Sequence, residues 1–424
     1  MVTQKIINYS IICAIVCSYT LGFYFNEDSA GGGKIDLINS EWGNYLLFKE
    51  KPLQEALTSL DFKSSRTPLF LIIHKYNFFI NDINDFRFFS FCLGFFCFFF
   101  FYICLKKIFK NSETSYLLLI ASFILLSPYL RSSLYWANQE HLSILFFLIS
   151  LIFFYFCIDN TYEKSSKNYY LYSILCSFFC YLSFYIDQKF FFMAVIIFYL
   201  LIQKTSKRFF FLFSIINFVF LIPALFLFYL WGGIVPIESQ SRLLNTPSNI
   251  NILISNVGIY FIPLFFGILL KRKFKLLSLN KLEIASFLII SVLIYVLLPT
   301  DPAKEGSGII FRLMSVLYFK NWMQFDWGVY KLVYFVINLI FTYFLIIFLK
   351  KSIKNLIIIS SFFIIYFLTY FTYQSYVDPI FIILIYAFLD LKNINIMNKE
   401  ITYLNLFFFT LILSSSIVFR VFLL

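Results

Sequence analysis

The sequence predicts an all-α fold: a polytopic bundle of about 11–13 transmembrane helices, with interfacial helices in a long first outer loop. Three observations predict it. Hydrophobic residues make up 61% of the 424 positions and charged residues only 13%, against roughly 25% charged in an average soluble domain. The apolar residues fall in runs long enough to cross, or nearly cross, a hydrocarbon core of about 30 Å. The basic residues gather in the short connectors between alternate runs, as the orientation rule for membrane proteins requires.

Taken in order, the predicted spans are Ile6–Phe25, Phe86–Leu105, Tyr116–Pro128, Leu142–Ile158, Tyr169–Ile186, Phe190–Ile202, Phe209–Trp231, Ile252–Leu270, Ile284–Leu298, Leu332–Leu349, Leu356–Tyr373, Pro379–Leu389 and Tyr403–Leu424. The sixth and twelfth are short, which suits a tilted or broken helix. Lys5 precedes the first run and no small-residue cleavage site follows it, so the run reads as an uncleaved span. The chain is read as one transmembrane domain, 1–424. Residues 26–85 form its first outer loop, and no separate soluble domain is present.

With the N-terminus in the cytoplasm, the inner segments hold 19 of the 34 basic residues but only 6 of the 22 acidic ones. The net charge of +12 is therefore a topology signal. It is not a nucleic-acid footprint, because the basic connectors are short and lack interleaved aromatics. The inner connectors are minimal, whereas the outer segments are long and chemically varied, so the outer face is where chemistry is expected. All eight Cys lie in apolar stretches, which argues against a disulfide framework or a thiolate metal site. Two His, His74 and His141, are too few for a histidine metal cluster.

The first outer segment opens with NEDSAGGGKID, residues 26–36. Glu27 and Asp28 lie just beyond the first span. Carboxylates at that depth either end the helix in water or serve function. The three glycines, Gly31 to Gly33, allow backbone N–H groups close approach to an anion, or simply make a flexible loop. In EKPLQEALTSLDF, Leu53, Leu57 and Leu60 share a helical face suited to the interface. RTPLFLIIHKYNFFI is too short and interrupted to span and reads as a surface or re-entrant helix.

The second outer segment, PYLRSSLYWANQEHL, carries Arg131, Glu140 and His141. Arg131 and Glu140 are placed to bridge one another. Tyr135 and Trp136 fit an interfacial aromatic belt, with a sugar platform as the alternative. The remaining outer segments bring Asp187, Gln188 and Lys189 in YIDQKF, then Arg242, Arg312, and Asp378 before Pro379. Phosphate loops, zinc motifs, nucleophile elbows and dinucleotide fingerprints are all missing from the sequence. No internal repeat supports a secondary transporter.

The pieces NEDSAGGGKID, RTPLF, SSLYWANQEHL, YIDQKF, WGGIVP and YQSYVDP, in this order along most of the chain, resemble the GT-C class of polytopic glycosyltransferases. The resemblance implies a sugar moved from a polyprenyl-phosphate donor to a glycan, lipid or protein acceptor at the periplasmic face of a bacterial inner membrane. It implies Asp28, or Glu27, as general base. It implies substrate contacts from Arg131, Glu140, Asp187, Gln188, Lys189, Arg242, Arg312 and Asp378, with Arg242, Arg312 or Lys189 stabilising the departing phosphate. A divalent cation, Mg or Mn, is compatible with this chemistry but not required by the sequence. Nucleic acid is not an expected partner. One departure stands out: where some relatives carry Arg-Gln at the exit of the fifth span, this chain has Asp187-Gln188, which leaves the donor-binding cation open. A lipid-linked glycan polymerase or ligase, a flippase or transporter of lipid-linked sugars, and a purely structural membrane protein are the competing readings.

Overall fold

The computed structural model describes residues 2–64, 66–159, 167–202, 207–236, 238–240, 248–270, 278–304, 307–320, 324–350, 352–367, 373–391 and 396–422. Among the described residues every regular element is helical. Eight helices among the described residues are long and apolar enough to cross a membrane, or nine if one bent pair counts as a single span. The expected polytopic helical bundle is thus present. The sixth, ninth, eleventh and twelfth predicted spans fold as shorter helices: Gln188–Ile202, Lys281–Val296, Ile353–Phe367 and the broken piece Gln374–Phe388. At 1.5 Å per residue the described part of each is shorter than a core of about 30 Å.

Contacts divide the chain into two compact units, Met1–Ser241 with Ile412–Leu424, and Arg242–Leu411. The first unit begins with α1 (Val2–Tyr24), followed by the loop helices α2 (Gly33–Asp36), α3 (Trp42–Glu50), α4 (Leu53–Thr58) and α5 (Leu69–Lys75). The two helical segments expected in the first outer loop are thus α4 and α5. The long helix α6 (Ile83–Ile108) is capped by Asp82, whose carboxylate accepts from the backbone N–H of Asn84 and Asp85. Then come α7 (Thr114–Ser122), α8 (Pro128–Tyr135), α9 (Glu140–Ile158), α10 (Lys167–Ile186), α11 (Phe191–Ile202) and α12 (Lys207–Trp231). Helix α9 packs along both α6 and α10, forming the heart of the unit.

Two breaks in this unit have identifiable causes. The predicted third span bends by 67° before α8, where Ser127 accepts from the Leu130 N–H and Pro128 opens the new helix. Within α12, Pro223 interrupts the backbone ladder, and the Tyr185 hydroxyl bridges the gap: it accepts from the Ala224 N–H at 3.2 Å and donates to the Phe220 carbonyl. Neighbouring side chains commonly re-satisfy backbone groups freed by proline inside a membrane helix.

The second unit holds α13 (Asn249–Gly258), α14 (Ile262–Leu270), α15 (Lys281–Val296), α16 (Ile309–Phe319), α17 (Trp327–Leu349), α18 (Ile353–Phe367) and α19 (Ile380–Ile383). Leu298, Phe311, Met314, Tyr330 and Tyr334 form a core cluster there. The last helix, α20 (Lys399–Phe422), contributes its final residues to the first unit and its earlier ones to the second.

Candidate functional site

At one end of the first unit the chain leaves α1 through a tight return. Asn26 takes a left-handed backbone, as do Gly31 and Gly32 at φ 73° and 92°, conformations that only Gly and, less readily, Asn adopt at low cost. The turn delivers Glu27 and Asp28 to α8, but to different partners. Glu27 meets Arg131 side-on, Nε donating to Oε1 at 2.8 Å and Nη2 to Oε2 at 2.5 Å. Arg131 is 1% exposed and also donates to the Ser18 carbonyl and hydroxyl and to the Leu125 carbonyl. Gly22 is necessary here, because a Cβ would collide with Glu27, Arg131 and Tyr135 together. Glu27 therefore acts as a strut tying α1 to α8. The expected Arg131–Glu140 bridge does not form; each residue takes another partner.

Asp28 is held differently. Its Oδ1 accepts from the Ser132 hydroxyl at 2.8 Å and the Gly33 N–H at 3.3 Å, and its Oδ2 accepts from the Lys34 N–H at 3.4 Å. All three donors are neutral, and the carboxylate is partly accessible. Tyr135 and Trp136, placed by sequence in an aromatic belt, are instead buried beneath this turn. Tyr135 donates to the Tyr19 carbonyl at 2.5 Å and the Trp136 indole N–H donates to the Glu27 carbonyl at 3.0 Å.

Three segments converge on a second charged centre. Arg66, on the strand of chain before α5, pairs with Glu41 at 3.4 Å, with Glu140 at hydrogen-bond distance, and with Asp187 at 3.9 Å. Lys189 adds bridges to Asp187 at 3.2 Å and to Glu140 at 4.0 Å. Gln139 donates to Glu41 at 2.8 Å, and Gln188 accepts from the Thr67 N–H at 3.1 Å. Three carboxylates thus share two cations in a buried setting. Burial pushes the Glu41 carboxyl up to about 7, against the opposing pull of Arg66 and the Gln139 hydrogen bond. Burial also draws the Lys189 ammonium downward, opposed by Asp187 and Glu140. The carbonyl oxygen of Gln139 has no partner among the described residues. Rotation of that amide would present an acceptor to a protonated Glu41, so either protonation state can be served.

Of the residues singled out in the sequence, the structure brings together Glu140, Asp187, Gln188 and Lys189, and adds Glu41, Arg66 and Gln139. The sequence offered little to find those three. Arg66 stands in RTPLF with no charged neighbour in the motif, and Glu41 precedes Trp42 in a stretch that reads as interfacial. Arg131 belongs to the Glu27 strut. Arg312, on α16, is exposed, and Asp378 is buried beside the Asp378–Pro379 cis peptide; both belong to the second unit. Arg242 lies outside the described residues. Both histidines are buried among aromatic rings, His74 against Phe70, Phe86 and Phe89, and His141 against Phe70.

For a Mg or Mn ion, the donor set is a poor fit. Glu41, Glu140 and Asp187 face Arg66 and Lys189, whose positive charges already occupy the space between them. Among the described residues no group of three or more His, Cys, Asp or Glu side chains could hold a metal ion. Compared with known proteins, the chain matches no family model, no curated protein and no solved structure.

Proposed function

We propose that this chain is an integral membrane glycosyltransferase of a bacterial inner membrane, moving a sugar from a polyprenyl-phosphate donor to an acceptor at the periplasmic face, with the N-terminus in the cytoplasm. The observation that carries the reading is the convergence of three loop segments on one end of an apolar bundle. The first brings Asp28, Glu41 and Arg66, the second Ser132, Gln139 and Glu140, and the third Asp187 and Lys189. A lipid-borne sugar phosphate presents its reacting carbon at this level, where hydrocarbon meets water.

In this reading the acceptor hydroxyl oxygen forms the new bond to the sugar carbon as that carbon's bond to the phosphate oxygen breaks. The hydroxyl proton passes to a carboxylate, and the electron pair leaves with the phosphate. Asp28 suits the base better than Glu27. Its hydrogen bonds come from neutral donors, whereas both oxygens of Glu27 are engaged by Arg131. A positioned base contributes about 10²–10⁴-fold. Arg66 and Lys189 are the cations of the site, and stabilising the developing phosphate dianion would require them to exchange a carboxylate partner for it. The deciding test incubates the purified protein with polyprenyl-phosphate sugars and measures free polyprenyl phosphate. Release that requires Asp28 supports the reading, and no release with any donor and acceptor combination counts against it.

The transporter reading draws on one observation, the buried Glu41 at the junction of three segments with a carboxyl poised near neutrality. A proton-coupled flippase would move a fluorescent lipid-linked sugar across vesicles in a pH-gradient-dependent manner without breaking the sugar–phosphate bond.

A further inference from the structure

Close to Asp28, but distinct from both charged centres, lies Arg87 in the first turns of α6. It is half-buried, and its contacts are well defined: Nε donates to the Tyr135 carbonyl at 2.9 Å and Nη2 to the Asn26 amide oxygen at 2.8 Å. The guanidinium lies 4.0 Å from the centre of the Trp136 ring and 5.4 Å from that of Phe23. Both hydrogen-bond acceptors are neutral, and among the described residues no carboxylate comes within ion-pair distance. Arg87 therefore keeps a full positive charge, and of the five N–H donors of a guanidinium only two are used. Its position near the helix N-terminus compounds this, because the positive end of the helix dipole disfavours a cation there.

Other cations gather round the same turn. The Lys34 ammonium stands 5.9 Å from the Trp136 ring, and the Arg420 guanidinium of α20 lies against Gly31, 3.2 Å from where a Cβ would stand. Of the nearby carboxylates, Glu27 is paired with Arg131. Asp28, Asp82 and Asp85 keep their charge, accepting from the Ser132 hydroxyl and backbone N–H groups, and none of them forms an ion pair with Arg87 among the described residues. Beside this positive group the surface turns apolar: Tyr24, Phe25 and Phe88 are 70%, 78% and 55% exposed. A cation with free donors beside exposed aromatic side chains is the pairing that suits a lipid headgroup at the membrane interface.

We propose that Arg87, with Lys34 and Arg420 around the 26–34 turn, binds the phosphate of a membrane lipid whose chains lie along Tyr24, Phe25 and Phe88. The two bonds to Asn26 and Tyr135 fix the guanidinium and leave three of its five donors for a phosphate, which an arginine can grip through two oxygens. Trp136 supports it from behind and is itself held by the close contact with Gly33. The inference does not depend on the transferase reading: a transporter or a structural protein with this turn would hold the same headgroup.

The test is native mass spectrometry of the purified full-length chain titrated with phosphatidylglycerol, with diacylglycerol of the same acyl chains, with polyprenyl phosphate and with inorganic phosphate. We expect phosphatidylglycerol to be retained, diacylglycerol to be lost, and inorganic phosphate to compete only at millimolar concentration. Arg87→Ala should weaken retention about 10-fold or more. Arg87→Lys, which keeps the charge but not the fork, and Lys34→Ala, on an exposed side chain, should each weaken it less. Preferential retention of polyprenyl phosphate that Arg87→Ala abolishes supports the site and names its occupant. Diacylglycerol held as tightly as phosphatidylglycerol would overturn the proposal. So would wild-type retention in Arg87→Ala, or in Arg87→Lys and Lys34→Ala together should the alanine variant not fold.

Discussion

Arg131 holds Glu27 through two parallel hydrogen bonds of 2.8 and 2.5 Å, 104 residues apart in sequence and nearly sealed from solvent. Removing one partner of a buried ion pair strands the other's charge, at a cost of about 3–5 kcal/mol. Glu27→Gln should therefore lower the melting temperature of the solubilised protein sharply, and Arg131→Gln should do the same. The double variant should recover part of the loss, because neither charge is then stranded. A Glu27→Gln protein that melts like wild type would remove the strut role.

Asp28 is expected to separate activity from folding. Asp28→Asn keeps size and most of the capping geometry but cannot accept a proton. Donor turnover should fall by about 10²–10⁴-fold, while membrane insertion and melting stay near wild type. Full turnover in Asp28→Asn would show that this loop does not supply the base.

Glu41 predicts a pH dependence with a definite sign. Its folded carboxyl titrates at about 7, above its ordinary 4.5. Between these values the folded protein holds a proton that the unfolded chain releases, so stability falls as pH rises through this window. The loss reaches at most about 3 kcal/mol by pH 8. Melting curves from pH 4.5 to 8 should show it in wild type and not in Glu41→Gln. The same slope in both proteins would assign the titration to another group.

Arg66 touches all three carboxylates of the second centre. Arg66→Ala leaves Lys189 alone among them and should prevent accumulation of folded protein. Arg66→Lys, unable to fork among several oxygens, should fold with reduced stability. Wild-type expression and melting of Arg66→Ala would mean that the carboxylates are not held by this residue.

Topology can be read with reporter fusions. Lys107 and Lys110 pair with Asp159 where α6 and α9 end, opposite the Asp28 turn. Fusions at Lys107 and Lys207 should report the cytoplasm and a fusion at Gly32 the outside. A cytoplasmic signal at Gly32 would overturn the periplasmic assignment of the site.

Sequence alone determined that this chain is an all-helical membrane protein, because apolar content and run length act through solvation, which depends on composition and hardly on partners. It also marked Asp28, Glu140, Asp187 and Lys189 as polar groups at span ends, since a charge beside an apolar run is conspicuous wherever the run goes. Only the tertiary structure decided which charges meet. Arg131 turned from Glu140 to Glu27, Glu140 took Arg66, and Tyr135 and Trp136 went beneath the turn, because pairing follows from how helices bend and pack across 70 to 120 residues of chain. Breaks within an apolar run, such as that before Pro128, were likewise visible only in the tertiary structure, because they bend a run without changing its composition.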